Sequence, residues 1–398
     1  MSKDHCSFLF IKNLKVMNLK YSVGLDVSSK KINACISIID ENQKVSVKSS
    51  AVILNSKKGF EDLQHWIIKH QKENLPLVIC MEATGIYHEN CAYYLFDKGF
   101  SVSIILPNKA KKYLEAIGLK SKNDSIDAKG LSQMGAEQCL DLWQPMGTFF
   151  YQLRLLTRQH QNVVELKTVL KNQLDALGYA MHQSDEVINQ LKQTIELFET
   201  QSKELVSAIK SHLKSDRDIA TRVDNLLKMK GLGVLTLATI LAETNGFELF
   251  KNYKQLVSYA GYDVVEAQSG TRIGKTKISK KGNSRIRRAL HMPSLVVIQC
   301  KVKKYKDLFD RTYEKHGIKM KSYVAVQKKL LVMIYNLWKK KEAFNPEYEI
   351  NIQEKEQVFF SLSAFEKSKK VAPKKIEATQ GKPPVKYHSM FPLCLTKV

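Results

Sequence analysis

From Tyr21 to Asp40 the segment YSVGLDVSSKKINACISIID places β-branched and apolar residues on both sides of a Ser28-Ser29 turn. With Gly24 bounding the first run, this pattern predicts strand, turn, strand in a hairpin. KKGFEDLQHWIIKHQ then carries Phe60, Leu63 and Ile67 at helical spacing, and PLVICMEA is a short continuous apolar run of the kind that forms a buried strand. HENCAYYLFDKGF predicts a second helix, SVSIILP another strand and SIDAKGLSQMGA another helix. Strands that alternate with helices imply an α/β layer with a covered sheet.

The texture changes between about Tyr151 and Leu227. Glycine almost vanishes, and Leu153, Leu156, Val163, Leu166, Leu170, Leu174 and Leu177 recur every three or four positions. That spacing predicts long helices, paired either as an antiparallel coiled-coil hairpin or as an ordinary bundle face. Two further helices are expected to meet at Gly231-Leu232-Gly233, an arrangement like a helix-hairpin-helix element, whose loop offers backbone N–H groups to a DNA phosphate. Such glycine turns also merely join helices. A glycine-rich basic stretch from Tyr262 to Arg288 follows, then amphipathic helices carrying Leu330, Leu331, Ile334 and Leu337. Beyond Phe344 the composition turns to Lys, Glu and Pro, which predicts a basic, mostly disordered tail. The chain thus divides into an N-terminal extension (1–16), an α/β domain (17–148), a helical connector (149–225), a mainly helical C-terminal domain (226–344) and the tail (345–398).

Charge narrows the partners. Lys and Arg number 63 against 39 acidic residues, a formal net charge of +24, which favours a polyanion because phosphate contacts release counterions. No segment approaches the roughly 18 consecutive apolar residues of a membrane span, and the first 20 residues hold only the short run Phe8 to Ile11, too brief for a signal-peptide core. A cytoplasmic, nucleoid-associated protein with no membrane partner is expected. The seven cysteines are scattered without a C-x-x-C pair, as reduced thiols would be, and no histidine stands at zinc spacing from them.

Four carboxylates stand out by position. Asp26 lies at the turn end of the first strand, and Glu82 closes the apolar run PLVICMEATG, where it must reach solvent, a cation or a donor to escape desolvation. Asp124 and Asp127 in KNDSIDAKG stand at i and i+3, on one face of a helix start, although either could be an N-cap. Singly, each is an ordinary structural acid. Together they could converge at one sheet edge and hold paired Mg²⁺ or Mn²⁺ ions, which need several hard oxygen ligands and, roughly 3.5–4 Å apart, stabilise both oxygens of a phosphoryl transfer.

In AGYDVVEAQSGTRIGKTKISKKGNSRIRRAL the run GTRIGKT approaches a nucleotide-binding loop but fails on spacing, since only three residues separate Gly270 from Gly274 and no buried strand precedes it. No nucleotide cofactor is expected. A basic loop against a DNA backbone fits better, with Arg272, Lys275, Lys277, Lys280, Lys281, Arg285, Arg287 and Arg288 neutralising phosphates. Ser269 opens this loop. Its hydroxyl would need metal, base or adjacent cations to become a nucleophile, and a plain turn serine is the bland reading.

GLDVSSKK, MEATGIYHENCAYYL and LPNKAKKYLEAIGLKSKNDSIDAKGL resemble, in order and spacing, successive blocks of the DEDD insertion-sequence transposases, whose N-terminal domain has the RNase H-like, RuvC-like fold. The Q-S-G and I-S-K-x-G-N segments resemble the C-terminal transposase domain of the same family. Val264 stands where members usually carry proline, Tyr262 where they carry leucine, and Met292-Pro293 interrupts a commonly alanine-rich stretch. The resemblance implies that Asp26, Glu82, Asp124 and Asp127 are the metal-binding tetrad. It also implies that Ser269 forms a phosphoserine link to cleaved DNA, and that a bridge RNA pairs with donor and target double-stranded DNA. The serine and tetrad, on different domains, are expected to meet in a homo-oligomer, dimers assembling into a tetramer. Three alternatives stay open: a metal-dependent junction resolvase with no covalent step, a non-catalytic nucleic-acid scaffold, and an actin-like phosphotransferase suggested only by GLDVS.

Overall fold

A computed structural model describes residues 17–83, 85–118, 123–274 and 276–345, with Arg272 and Ile273 described in backbone only. The expected extension at 1–16, Lys275 and all but the first residue of the expected tail lie outside the described residues.

Five strands, β1 (Asn18–Val27), β2 (Lys31–Asp40), β3 (Val45–Leu54), β4 (Leu77–Glu82) and β5 (Ser101–Ile105), form one sheet in the order β3-β2-β1-β4-β5. β1, β2 and β3 pair antiparallel, whereas β4 runs parallel to both β1 and β5. This is the RNase H-like order. The expected β1–β2 hairpin is present, closed where the Ser28 N–H donates to the Lys31 carbonyl at 2.9 Å. β3 was not expected from the sequence; it is an edge strand whose first half is mostly polar, and in its apolar end, Ala51 to Leu54, Val52 and Leu54 stay exposed.

The sheet is covered on both faces. Phe60, Leu63 and Ile67 of α1 (Lys57–His70) and Cys91, Ala92 and Leu95 of α2 (Glu89–Asp97) pack with Val23, Leu25, Ile79 and Met81. After α3 (Pro107–Ala116), α4 (Asp124–Glu137) covers the other face, where Leu131 and Met134 meet Cys80. Gly24 does not bound a strand as its sequence context suggests; it lies inside β1. A Cβ there would stand 2.1 Å from the Ala128 carbonyl oxygen and 2.2 Å from the Ser132 nitrogen of α4, so only glycine lets helix and strand come this close. Ser132 secures the contact by donating to the Ser22 carbonyl at 3.0 Å and sharing a 2.7 Å hydrogen bond with Ser37 Oγ.

Two helices of 30 residues follow, α5 (Thr148–Leu177) and α6 (Asp185–Lys214). Lys171 meets Glu199 at 2.9 Å, His160 meets Ser202 at 3.2 Å, and Phe149 stacks on His212, so the two run antiparallel as a helical hairpin. Leu166 and Val169 remain exposed on α5.

Compactness cuts the described chain differently from its linear order. One unit takes the residues up to His212 with Leu235–Ala289, and the other takes Leu213–Val234 with the residues from Leu290 onward. Later elements are α7 (Arg217–Leu227), α8 (Val234–Thr244), α9 (Tyr253–Tyr259), β6 (Val264–Val265), β7 (Gln268–Ser269), β8 (Arg272–Ile273), β9 (Lys277–Ile278), α10 (Ser284–Ala289), α11 (His291–Gln299), α12 (Lys303–His316) and α13 (Lys319–Lys340). In the second unit, α13 buries Val326, Leu330, Leu331, Ile334 and Trp338, and the Arg222 guanidinium of α7 lies over the Trp338 ring. Pro293 sits in the first turn of α11, where its missing N–H costs no helical bond.

In the first unit, one anion joins α5, α8 and the segment leading into α10. Glu243 of α8 is 1% exposed and accepts two hydrogen bonds from Arg158 of α5, at 2.8 and 2.9 Å, and one from Asn283 Nδ2 at 2.8 Å. Burial pushes its carboxyl up, but the Arg158 hydrogen bonds and charge, with Asn283 and Arg154, outweigh burial and hold it below the ordinary 4.5.

Two outcomes follow for measurement. Gly24→Ala should force α4 off β1 and cost at least about 3 kcal/mol, the upper range for an overpacked core, read as a lower urea midpoint. Arg158→Ala should leave a buried carboxylate without its partner and cost about 3–5 kcal/mol at neutral pH. Because the folded pKa of Glu243 is depressed, its contribution is complete above 4.5 and is lost as pH falls through the lower folded value. The gap between wild type and Arg158→Ala in urea unfolding should therefore close on acidification below 4.5; a gap independent of pH would contradict the assignment.

Candidate active site

Side chains alternate along β1 and β4, which decides where the first two acids point. Val23 and Leu25, with Ile79 and Met81, belong to the α1–α2 core, while Gly24 and Cys80 meet α4. Asp26 and Glu82 are two residues on from Gly24 and Cys80, so both project from the α4 face. Leu25 pairs with Met81 across the parallel strands, and Asp26 and Glu82 stand one step further, side by side at the carboxyl ends. Glu82 is also held by register on its other side, opposite Ile105. Both acids are half-buried.

α4 supplies the other two. Gly135 meets Ser22 and Ala128 meets Gly24, so α4 descends in number as β1 ascends, and its first turn continues toward Asp26. That turn contains Asp124, exposed, and Asp127, half-buried. The cap itself is Asn123, whose side chain accepts from the Ile126 N–H at 2.8 Å, so the N-cap reading of either aspartate is replaced by their place within the first turn. The donors are all hard oxygens, suited to Mg²⁺ or Mn²⁺. As the side chains stand, no group of three or more His, Cys, Asp or Glu among the described residues closes around one point.

Cysteine does not compete as a nucleophile here. Burial pushes both the Cys80 and Cys91 thiols up to about 12.

The stretch expected to be a flexible basic loop is instead a two-tiered β-arm. Val264 and Val265 pair with Ile278 and Lys277 at its base, and Gln268 and Ser269 pair with Ile273 and Arg272 near its tip. Gly270, with φ of 57°, turns the tip, and a Cβ there would meet nothing within 4 Å. Ser269 is therefore exposed at the end of a short hairpin rather than in an ordinary loop. Gly274 has a different task, because a Cβ would lie 2.6 Å from the Ala267 carbonyl oxygen across the arm.

The basic residues separate into two groups. Lys277, Lys280 and Lys281 are exposed around the arm's base. Arg287 donates to the Ala260 carbonyl at 2.8 Å and Arg285 Nε stands 4.0 Å from buried Glu243, whereas Arg288 is exposed and pairs with Glu165 at the surface. Lys275 lies outside the described residues, as does the side chain of Arg272. At the expected helix-hairpin-helix turn, Gly231 has φ of 83° and a Cβ would press on Val296 and Val297 at 3.1–3.2 Å, while Gly233 faces open space. Gly231 is thus explained by packing within its own unit.

Sequence reading missed Glu243, Arg158 and Asn283. An acid inside the apolar run LTLATILAET was the available signal, since a carboxylate there must be paired.

Residues 23–177 match the DEDD transposase model of IS110-type elements, and residues 223–310 match the model described as the transposase IS116/IS110/IS902 family. The chain is similar to the pilin gene-inverting protein of Moraxella bovis, 26% identical over 328 residues that cover 82% of this chain and 98% of the relative. A probable family 20 transposase of Pseudomonas aeruginosa is 21% identical over 253 residues, 56% of this chain and 72% of the relative. Among solved structures, Thermus thermophilus RuvC aligns over 31% of this chain and 99% of its own, with 12% identity and a TM-score of 0.25. The acid-bearing sheet and the serine arm fall one in each matched segment, and the two segments together span more than half of the sequence: the chain belongs to the IS116/IS110/IS902 family of transposases, enzymes that recombine DNA.

Proposed function

We propose that this transposase exchanges DNA strands through a covalent serine–DNA intermediate, aided by divalent ions held on Asp26, Glu82, Asp124 and Asp127. The observation that carries this reading is the pairing of Asp26 and Glu82 at adjacent strand ends, on the face that the first turn of α4 covers. A second supporting feature is the display of Ser269 at the exposed tip of an arm whose base carries exposed lysines. Mg²⁺ or Mn²⁺ bound there would neutralise charge on the transferring phosphate and the leaving oxygen.

The chain's own residues would do the rest. Lys277, Lys280 and Lys281 attract the phosphodiester and lower the cost of bringing an anion to the serine. Ser269 Oγ forms a bond to phosphorus and loses its proton to solvent; the ester bond to the leaving deoxyribose oxygen breaks, and that oxygen departs as a hydroxyl. Attack by a hydroxyl from another DNA end restores a phosphodiester and frees the serine. Bond energy is conserved, so no nucleotide is consumed. The name of the Moraxella relative, a gene-inverting protein, is in keeping with this chemistry, because inversion requires each broken end to be rejoined to a new one.

The partners proposed are double-stranded donor and target DNA, and a bridge RNA transcribed from the element that pairs with both; the net charge of +24 suits either polymer. The serine domain and the acidic domain are proposed to work across protomers of a dimer or tetramer, with the α5–α6 hairpin as a coiled-coil connector.

Two experiments test these points. On nicked suicide DNA supplied with the element's RNA, the wild-type chain should form a protein–DNA adduct that maps to Ser269, and Ser269→Ala should form none while still binding DNA. Absence of any wild-type adduct would contradict the serine step, and an equal adduct without RNA would contradict the guide. Mixing inactive Ser269→Ala with inactive Asp26→Ala protein should restore strand exchange, whereas full activity of a wild-type monomer would contradict assembly across protomers.

A further inference from the structure

We infer that Glu243 is a positioning residue for the serine arm, acting through Asn283 to fix the direction in which Ser269 is presented; this rests on Ser269 being the nucleophile. The arm cannot orient itself. Its residues from Val264 to Thr271 are exposed, and its two tiers are only two residue pairs each, well short of a hairpin that is stable alone. Its direction must therefore be set at the base.

The base is fastened to Glu243 from both sides, to its backbone carbonyl on one and to its buried carboxylate on the other. On the outgoing side, Tyr259 donates through its hydroxyl to the Glu243 carbonyl at 3.1 Å, three residues before fully buried Tyr262. On the returning side, Asn283 donates to the Glu243 carboxylate at 2.8 Å while its own carbonyl oxygen accepts from the Arg285 and Ile286 N–H groups, capping α10. The two sides are then laced together: Ser279 N–H donates to Asp263 at 2.8 Å, Lys280 to Gly261 at 3.1 Å and Asn283 to Tyr259 at 2.7 Å. Glycines permit this closeness. A Cβ on Gly282 would stand 2.4 Å from the Tyr259 carbonyl oxygen, and one on Gly261 would stand 2.7 Å from the Arg287 guanidinium.

Arg158 anchors the same carboxylate to long α5, so the arm's base inherits the rigidity of a 30-residue helix. Glu243 is far too buried to touch DNA, and its value to the reaction lies in geometry. A displacement of about 1 Å at a reacting atom can cost about 100-fold in rate.

The test uses full-length Glu243→Gln and Asn283→Ser. The first keeps the shape of the side chain without its charge; the second keeps a helix-capping hydroxyl but is too short to reach Glu243. Hydrogen exchange should quicken about tenfold or more at the amides of Ser279, Lys280 and Asn283, with protection in β1, β2 and β4 unchanged. The turnover rate for strand exchange should fall about 100-fold at unchanged DNA affinity. Arg158→Lys, which keeps the charge, should retain more turnover than Glu243→Gln. Unchanged exchange at the arm's base in both variants would overturn the inference, whatever Ser269 does. Loss of protection in the sheet as well, in both variants, would also overturn it, because Glu243 would then support the whole unit. If Ser269→Ala forms the adduct as well as wild type, the nucleophile assignment fails, and the exchange measurement still reports on the arm.

Discussion

The contact on which the rest depends is the approach of α4 to β1 over Gly24. Helices normally rest on sheets through layers of side chains, but here the Ala128 carbonyl and Ser132 backbone occupy the space that any β-carbon would need. That closeness fixes the height and direction of the helix, and its first turn therefore overhangs the strand ends that carry Asp26 and Glu82. The parallel register does the remaining work by setting those two acids side by side. An acid pair made this way is expensive to keep unless it meets solvent, donors or a cation. The carboxyl ends of adjacent parallel strands are also where open α/β sheets receive ligands.

The serine is held by a different principle. Its arm is nearly all surface, and its base is held by backbone hydrogen bonds between its two sides and by contacts to Glu243, through both the backbone carbonyl and the buried carboxylate. Three arginines, Arg154, Arg158 and Arg285, surround Glu243, and Asn283 completes the ring. Such a cluster is costly to assemble and weak evidence of stability by itself, but it specifies geometry sharply because a half-satisfied version is worse than none. The molecule thus pairs a closely packed sheet and helix beneath the acids with a short exposed arm that carries Ser269.

Much of this was legible beforehand. The β1–β2 hairpin, the buried β4 run and helices α1, α2 and α4 follow from periodicity, because each buries one face or both. β3 escaped because its first half is mostly polar and its apolar run, Ala51 to Leu54, is confined to one end of an edge strand. The serine arm escaped because its pairing is only two residues deep at each tier, too short for a period-two alternation to show. Gly24 was read as a boundary since nothing local reveals that a helix more than 100 positions later will press on it. The four acids were visible as positions, but their common face needed the register of β1 with β4. Asn123 was hidden in plain view: it precedes two better-known candidates for the same cap. Arg285, Arg287 and Arg288 are expected phosphate ligands by composition, and the fold adds contacts within the chain that composition does not reveal.

The central claim is that remote acids share an ion beside the scissile phosphate. Anomalous diffraction from crystals of the full chain soaked in Mn²⁺ addresses it directly. The account predicts a peak within about 2–2.5 Å of carboxylate oxygens from both Asp26 and Glu82, with Asp127 drawn toward it and the peak lost in Asp26→Asn. Mn²⁺ bound only elsewhere, or a peak that persists unchanged without the Asp26 carboxylate, would contradict it.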